Sequence, residues 1–362
     1  MKRTILHLPG LLGGDSFLPT GGAWAELASR SKIWRIKPPG PGLQEAALVG
    51  LEPESVSLAP GPLRVAAIGL NTPPRSVHFC LDFLSFDGAY LGQTGSISDP
   101  VLIQLWPLME RLSTPRFTLW WKEMAEHVAI WENGSLDLGT TPPDEALGKS
   151  LGQVLPEGDG EVMLRRFIDD SANLLHDHDL NKQREDEGLA PISMLWPWGQ
   201  GMRGSLPNRG LRFGQAVQIE SHRSSVRGLA RLVGFASGFP LGALRPLNPE
   251  FRVVAALQGT KLVDLPTFEL CREAGRLDYA EEVFQAFVEH LVEPALIVDP
   301  DKPRTLTILA PQKNGEGLAL FYDTERQETS SIPMDERALG EARLPVHTLC
   351  ECVNHGFGFA SA

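Results

Sequence analysis

Short apolar runs alternate with helical patterns along most of the chain. Residues 4–8, 32–36 and 76–86 are predicted strands, because apolar side chains dominate or alternate there. Residues 22–30 and 161–175 carry apolar side chains at helical spacing and are predicted helices. Weaker patterns predict helices over 43–50, 98–113, 224–235 and 278–293, and strands over 117–131, 192–196, 212–219, 305–310 and 317–322. The alternation of strands and helices predicts the α/β class.

Segments without a clear period predict the connections. Residues 135–160, rich in Pro, Gly and acid, are a predicted linker or long loop, and Glu132-Asn133-Gly134 predicts a hairpin turn. Gly199-Gln200-Gly201 is predicted to be a loop after the strand 192–196. Cys350 and Cys352 alternate on a segment predicted to be strand-like.

Charge and cysteine spacing exclude some function classes. The formal net charge is −12 and no dense basic run occurs, so neither nucleic acid nor an anionic membrane is an expected partner. No apolar stretch is long enough to span a bilayer, and His7 and Pro9 interrupt the first apolar run, which favours a buried strand over a signal peptide. The four cysteines form no zinc framework, and we expect reduced thiols in a cytoplasmic protein.

One polar helix and the segment after it carry candidate binding residues. His178, Asn181 and Arg184 are three residues apart stepwise, so on a helix they share a face that suits a phosphate or carboxylate. A plain surface helix has the same pattern. Trp198 and Gln200 follow on the predicted strand and loop, where a ligand pocket and ordinary core packing are both open. The run His176-Asp177-His178-Asp179 is typical of a metal site or of a solvated helix end.

Several segments together carry a family resemblance. "LNKQREDEGLAPISMLWPWGQG" resembles the Asn-x-x-Arg … Gly-x-x-Pro … Trp-Gly-Gln-Gly segment of the archaeal-type cofactor-independent phosphoglycerate mutases, in the alkaline phosphatase superfamily. "LGGDSFLPTGGAWAELASR", "ALVGLEPESVSLAPGPLRVAAIGL" and "SSVRGLARLVGF" are similar to other segments of that family. The resemblance covers most of the chain and implies an alkaline-phosphatase-like core at 1–54 and 171–362, with an inserted smaller α/β lobe at 55–170.

The family's chemistry implies two divalent metals and a serine nucleophile. This chain departs at each matching position. Proline replaces the first aspartate and the serine, and Arg, Gln or Lys replaces the other metal ligands; the positions are Pro9, Pro41, Arg272, Arg276, Gln312 and Lys313. Proline offers no ligand atom in its side chain, and cationic Arg and Lys offer no lone pair.

The sequence therefore predicts a degenerate mutase relative, with no catalytic residue, no metal and no cofactor. We expect it to bind a small phosphorylated or carboxylate anion, with Arg184 as the strongest contact, or a protein partner. Arg272, Arg276 and Lys313 are expected to converge on a cationic patch that pairs with carboxylates such as Asp264 or Asp278, or that holds an anion. Two alternatives stay open: an active enzyme with two metals such as Mn²⁺ or Mg²⁺, and an interaction protein without a ligand.

Overall fold

The computed structural model describes residues 2–11, 22–38, 40, 42–95, 97–122, 126–210, 216–239, 251, 259–299, 303–312, 314–325 and 344–358. The chain divides into two compact units. The core unit comprises Met1–Ser57 and Leu206–Ala362, and the lobe comprises Leu58–Ser205. The lobe extends beyond the predicted range 55–170, because the strand Met194–Met202 pairs with the strand Ser76–Phe86 and so belongs to the lobe sheet.

An eight-stranded sheet forms the centre of the core unit. Its strand order is β11-β10-β12-β1-β13-β14-β2-β15, parallel from β11 to β13, with β14 antiparallel to both its neighbours. The bounds are β1 (Lys2–His7), β2 (Lys32–Ile36), β10 (Val217–Ser221), β11 (Ala236–Gly238), β12 (Thr260–Asp264), β13 (Arg304–Pro311), β14 (Gly317–Asp323) and β15 (Val346–His347). The inner strands are buried on both faces, as expected for a parallel sheet covered by helices.

The helices of the core unit pack their apolar faces on this sheet. They are α1 (Gly22–Ser29), α7 (Ser224–Leu232), α8 (Thr267–Glu273), α9 (Leu277–Phe287), α10 (Glu293–Leu296) and α11 (Leu349–Phe357). A π-helical turn at Val288–Val292 joins α9 to α10, and the predicted helix 43–50 is a 3₁₀ helix, Gln44–Val49. Trp24 packs edge-on against Phe284 and Phe287, at ring-centroid distances of 5.7 and 6.1 Å.

Cys350 and Cys352 lie on α11, so the prediction of a strand-like segment there is wrong. Thr348 begins this helix with a capping box, in which its hydroxyl accepts from the Glu351 amide and Glu351 accepts from the Thr348 amide. The Thr-x-x-Glu spacing is a helix-start signal that outweighs an alternating apolar pattern.

The lobe contains a five-stranded sheet covered by helices. The sheet order is β4-β3-β6-β5, with β9 on the other edge of β3. The bounds are β3 (Ser76–Phe86), β4 (Leu91–Gln93), β5 (Phe117–Lys122), β6 (Glu126–Glu132) and β9 (Met194–Met202), and the helices are α2 (Pro60–Ile68), α3 (Asp99–Met109), α4 (Pro143–Ala146), α5 (Glu161–His176) and α6 (Asp179–Asp186). The α/β class predicted from the sequence is confirmed.

Residues 135–160 are part of the lobe, so their prediction as a linker is wrong. The segment forms a two-stranded ribbon of β7 (Leu138–Gly139) and β8 (Glu157–Gly158), and it buries Leu138, Ala146 and Val154 in the lobe core. Burial of these three apolar side chains fixes the segment on the lobe. They are widely spaced among Pro, Gly and acidic residues, so the sequence pattern gave no sign of them. Asn133 does turn the chain, with φ of 52°, but the next strand does not pair with β6.

β9 continues through Gly199-Gln200-Gly201, which the sequence predicted to be a loop. Pairing with β3, including an irregularity between His78 and Cys80, carries the strand past its glycines. Among the residues described, no helix is long and apolar enough to cross a membrane.

Candidate functional site in the core unit

Three neighbouring parallel strands of the core sheet end in polar residues. His7 ends β1, Asp264 ends β12 and Ser221 ends β10, and the strand register places His7 and Ser221 on either side of Asp264. The carboxyl ends of parallel strands form the edge at which α/β proteins place ligand sites. This edge is therefore the candidate functional site of the core unit.

Asp264 is the centre of a dense hydrogen-bond cluster and is completely buried. Arg223 binds both of its oxygens, Nε to Oδ2 at 2.8 Å and the Nη2 nitrogen to Oδ1 at 2.9 Å. His7 Nδ1 lies 2.8 Å from Oδ1, and the Ser221 hydroxyl donates to Oδ2 at 2.5 Å. Every contact of the carboxylate is therefore with a donor that favours its ionised form.

The charge state of Asp264 follows from two opposing effects, burial and the donors that contact the carboxylate. Burial opposes ionisation and raises the pKa of Asp264, but the Arg223 guanidinium and the His7 hydrogen bond outweigh it and hold the pKa well below its usual range. Burial also lowers the pKa of Arg223, and Asp264 more than restores it, so that the net pKa is raised. The two groups form a charged pair at neutral pH.

A cavity of about 260 Å³ opens beside this pair within the core unit. Its charged and polar lining consists of His7, Gln44, Glu45, Glu52, Arg223, Glu269, Gln312 and Asn314, together with Thr348 and Cys350. Pro9 and Pro311 contribute from the ends of β1 and β13. Glu52 lies beside Cys350, where burial is the main cause that raises the pKa of the thiol to about 12.

The positions predicted to be a degenerate metal site lie only partly at this cavity. Pro9 and Gln312 line it, and the Pro9 carbonyl accepts from the Glu269 amide. Arg272 lies on α8 and its Nε donates to the Gly10 carbonyl at 2.6 Å. Pro41 and Lys313 lie outside the described residues.

The convergence of Arg272, Arg276 and Lys313 on one cationic patch stays a prediction, although Arg276 does lie near Asp278, one of the two carboxylates expected to pair with the patch. Arg276 immediately precedes α9, with 62% of its side chain exposed, and its Nε lies 3.8 Å from an Asp278 oxygen. The carboxylate at the sheet edge is instead bound by Arg223, which the sequence analysis did not single out. The signal that could have found it is Ser221-His222-Arg223, a run of polar residues directly after the apolar strand β10.

The predicted anion-binding residues of the lobe have partners within the lobe. His178 caps α6 by accepting from the Leu180 amide. Asn181 donates to the Leu175 and Ile192 carbonyls, both at 2.9 Å, and accepts from the Ile192 amide at 2.8 Å. These contacts join the first turn of α6 to the end of α5 and to the segment that precedes β9.

Arg184 is only 5% exposed and binds backbone carbonyls rather than facing a cleft. Its Nε donates to Ala190 O at 3.0 Å, and an Nη nitrogen donates to Thr94 O. Arg184 therefore has the contacts of an arginine that stabilises the fold, as opposed to one that binds a ligand. The guanidinium connects α6 to the segment after β4.

Trp198 and Gln200 lie on β9 and are also engaged. The Trp198 indole donates to Asp82 Oδ2 at 2.5 Å, and Asp82 Oδ1 accepts from Arg64 at 3.0 Å. Gln200 accepts from the Thr140 hydroxyl and donates to the Leu138 carbonyl. The pocket that the sequence predicted for these residues together with His178, Asn181 and Arg184 stays a prediction.

Metal ligands are scarce in the part of the chain that the structure describes, where no group of three or more His, Cys, Asp and Glu could hold a metal ion. The Pro9 side chain has no ligand atom, the Arg272 guanidinium has no lone pair, and both oxygens of Asp264 are bound by protein donors. The donor set at this edge therefore does not fit a pair of divalent metals.

Comparisons with known proteins give the chain its relatives. No protein-family model matches it. The chain is 24% identical over 354 residues to the 2,3-bisphosphoglycerate-independent phosphoglycerate mutase of Methanosarcina mazei, covering 91% of this chain and 88% of that protein. It is 26% identical over 307 residues to the Methanosarcina acetivorans protein of the same name, covering 79% and 77%. A probable mutase of this kind from Geobacter sulfurreducens is 21% identical over 336 residues, covering 85% and 84%.

Two solved structures share the fold over the whole chain. The cofactor-independent phosphoglycerate mutase of Thermoplasma acidophilum superposes with a TM-score of 0.57 at 16% identity, covering 100% of both chains. The PH0037 protein of Pyrococcus horikoshii gives a TM-score of 0.65 at 15% identity, covering 100% of this chain and 98% of that chain. The resemblance found in the sequence is thereby confirmed: this chain is similar in sequence to proteins named 2,3-bisphosphoglycerate-independent phosphoglycerate mutase, and it shares the fold of these two solved structures.

Proposed function

We propose that this chain is a phosphoglycerate mutase-like protein without metal-dependent phosphoryl transfer, whose core cavity binds a ligand and does not catalyse a reaction. The observation that carries the proposal is the state of Asp264. A buried carboxylate at the edge where a metal centre would lie has both oxygens bound by Arg223, His7 and Ser221.

The charge at this edge supports the proposal. Arg223 supplies one fixed positive charge beside Asp264. A divalent metal placed near the guanidinium would be repelled, by about 4 kcal/mol per pair of unit charges a few Å apart at an intermediate dielectric. The carboxylate also has little free lone-pair capacity, since four protein donor contacts already reach it. A metal would have to displace the guanidinium before it could bind.

The anion expected in the lobe is not part of this proposal. An oxyanion site needs donors that are free to turn toward the ligand. Arg184, which was to be its strongest contact, already donates to two backbone carbonyls.

One observation favours a second function, that of an active enzyme. The curated relatives found here bear the name of the mutase, and they match most of this chain. An active chain would need divalent ions such as Mn²⁺ or Mg²⁺, and hence ligands other than the residues at Pro9, Arg272 and Gln312.

Metal analysis and a mutase assay on one preparation distinguish the two functions. We expect less than one tenth of an equivalent of bound metal, and no interconversion of 3- and 2-phosphoglycerate above a blank with Mn²⁺, Mg²⁺ or Zn²⁺. The Methanosarcina mazei relative, prepared in parallel, is the positive control. Turnover that a chelator abolishes and Mn²⁺ restores would overturn the proposal.

A further inference from the structure

A groove of about 970 Å³ runs along α5 in the lobe. One wall is α5, from Gly160 to Leu174, and the other is the segment from Arg111 to Phe117. Phe117 and Phe167 are almost completely buried and line the groove, with their ring centroids 5.2 Å apart. No other described element contributes to the lining, so these two walls leave an apolar surface open to solvent.

Four side chains of α5 that line this groove form a single row, which we call the α5 ridge. They are Val162, Arg166, Asp170 and Leu174, spaced four residues apart. Val162 is 77% exposed although it is aliphatic, and the Arg166 and Asp170 side chains are 82% and 49% exposed. An exposed aliphatic side chain that continues the apolar lining of a groove is typical of a surface that contacts another protein.

The α5 ridge is complementary to itself when two copies of the helix run antiparallel. Its order is apolar, positive, negative, apolar. With a two-fold axis at the level of Ile168, Val162 meets Leu174 of the second copy, and Arg166 meets Asp170 of the second copy. Each pair then occurs twice, as in any isologous interface. Rows of this i±4 type interdigitate at a crossing angle of about −50°, the commonest class of helix packing in globular proteins.

The charges of the ridge favour a second copy over a partner that carries one sign of charge. Such a partner would be attracted by one of Arg166 and Asp170 and repelled by the other, whereas the antiparallel copy is attracted by both. Within the helix, Arg166 Nε and Asp170 Oδ2 are 3.5 Å apart, and an exposed pair of this kind is weak, so both groups remain able to reach a second copy. The formal net charge of −12 on each chain opposes association, but salt at physiological strength screens it beyond about 8 Å.

We propose that two copies of this chain form a weak homodimer through their α5 ridges, antiparallel about a two-fold axis. The contact is small, because α5 has 16 residues and is therefore about 24 Å long. Small interfaces give transient complexes, so we expect a Kd of about 10–100 µM at physiological salt. The proposal concerns the lobe alone and does not depend on the function of the core cavity.

Sedimentation equilibrium of the full chain, from about 5 to about 300 µM, measures this Kd in the wild type and in charge variants. Arg166→Glu makes both ridge charges negative, and Asp170→Arg makes both positive. Each substitution turns the two ion pairs of the homodimer into like-charge pairs, so each variant should dimerise at least about tenfold more weakly.

A matched control is available on the same helix. Asp169→Arg makes the same change of charge at an exposed neighbour that does not line the groove, and it should leave Kd unchanged. Melting temperatures of all variants verify that they fold.

Mixing the two single variants gives the most specific measurement. In a heterodimer of Arg166→Glu with Asp170→Arg, a negative ridge faces a positive ridge, and both charge contacts are attractive again. We expect the equimolar mixture to form dimers with a Kd within about threefold of the wild-type value, although each variant alone associates poorly. The double variant Arg166→Glu/Asp170→Arg should regain homodimerisation. An effect on the stability of one helix could not produce association between two chains.

Three results would each overturn the proposal. They are a wild type that stays monomeric up to about 300 µM, single variants that dimerise as tightly as the wild type, and an equimolar mixture that does not associate. A dimer whose Kd is insensitive to both substitutions uses another surface, which is the second of these results.

Discussion

Removing Arg223 is expected to destabilise the protein by leaving a buried charge without its partner. Truncating one member of a buried ion pair costs roughly 3–5 kcal/mol. The Arg223 side chain is 36% exposed, and His7 and Ser221 still bind Asp264 in the variant, so the lower end applies. We expect Arg223→Ala to lower the free energy of unfolding by about 3 kcal/mol at pH 7.

The pH dependence gives this prediction a distinctive sign. In the wild type, the pKa of Asp264 is lower in the folded state than in the unfolded chain. The contribution of Asp264 to the free energy of unfolding is therefore fully present above the ordinary carboxyl pKa of about 4. It is lost as the pH falls through the pKa of the folded state. In Arg223→Ala, the main cause that opposes burial is lost, so burial should raise the folded pKa of Asp264 above that of the unfolded chain, and this variant should become more stable as the pH falls from 7 to 5.

Urea denaturation of four proteins between pH 5 and 8 measures both effects. The four are the wild type, Arg223→Ala, Asp264→Asn and the double variant, which form a double-mutant cycle. The double variant has no carboxyl group to titrate at this position. Its free energy of unfolding should therefore not show the rise between pH 7 and pH 5 that is expected for Arg223→Ala. Arg276→Ala removes a mostly exposed arginine and should change stability by less than about 0.5 kcal/mol. A loss this small for Arg223→Ala, or the same pH slope in all four proteins, would refute the reasoning.

Four further predictions concern other buried groups and metals. Arg184→Ala should lower the free energy of unfolding by about 2 kcal/mol, because two carbonyls lose their donor, and it should leave any phosphate binding measured by calorimetry unchanged. Asp82→Ala should cost roughly 2 kcal/mol in urea denaturation, since the Trp198 indole loses its acceptor and Arg64 loses its carboxylate partner and keeps only the Leu81 and His127 carbonyls. At pH 8 the native protein should react slowly with a thiol-specific disulfide reagent and rapidly after unfolding, because the cysteines are buried and burial raises the pKa of Cys350 to about 12. A chelator should leave the melting temperature unchanged, whereas a metal-stabilised relative should lose stability.

Local patterns were enough to predict most of the elements. The strands 32–36 and 76–86 begin and end where the apolar patterns do. Where the prediction failed, contacts between residues distant in sequence determine the local structure. The glycines of β9 stay in a strand because β3 pairs with them, and the Pro- and Gly-rich segment 135–160 is ordered because it buries apolar side chains in the lobe core.

The candidate site was harder to predict, because its residues are distant in sequence. Asp264 and Arg223 are 41 positions apart, and only the adjacency of β10 and β12 brings them together. Arg184 and the carbonyl of Thr94 are 90 positions apart. A spacing rule for one helix cannot reveal such a partner, which is why a buried structural arginine and a ligand-binding arginine have the same sequence pattern.

The Arg223–Asp264 pair explains how a carboxylate can stay ionised while completely buried at this edge. A fully buried carboxylate needs a counter-charge, and the counter-charge must reach it at a fixed angle to satisfy both oxygens. A guanidinium does this with two parallel N–H donors, and Arg223 is placed for it because it directly precedes α7 at the end of β10. The counter-charge of Asp264 is therefore supplied by the chain itself, from a strand and helix that are already fixed by the core sheet.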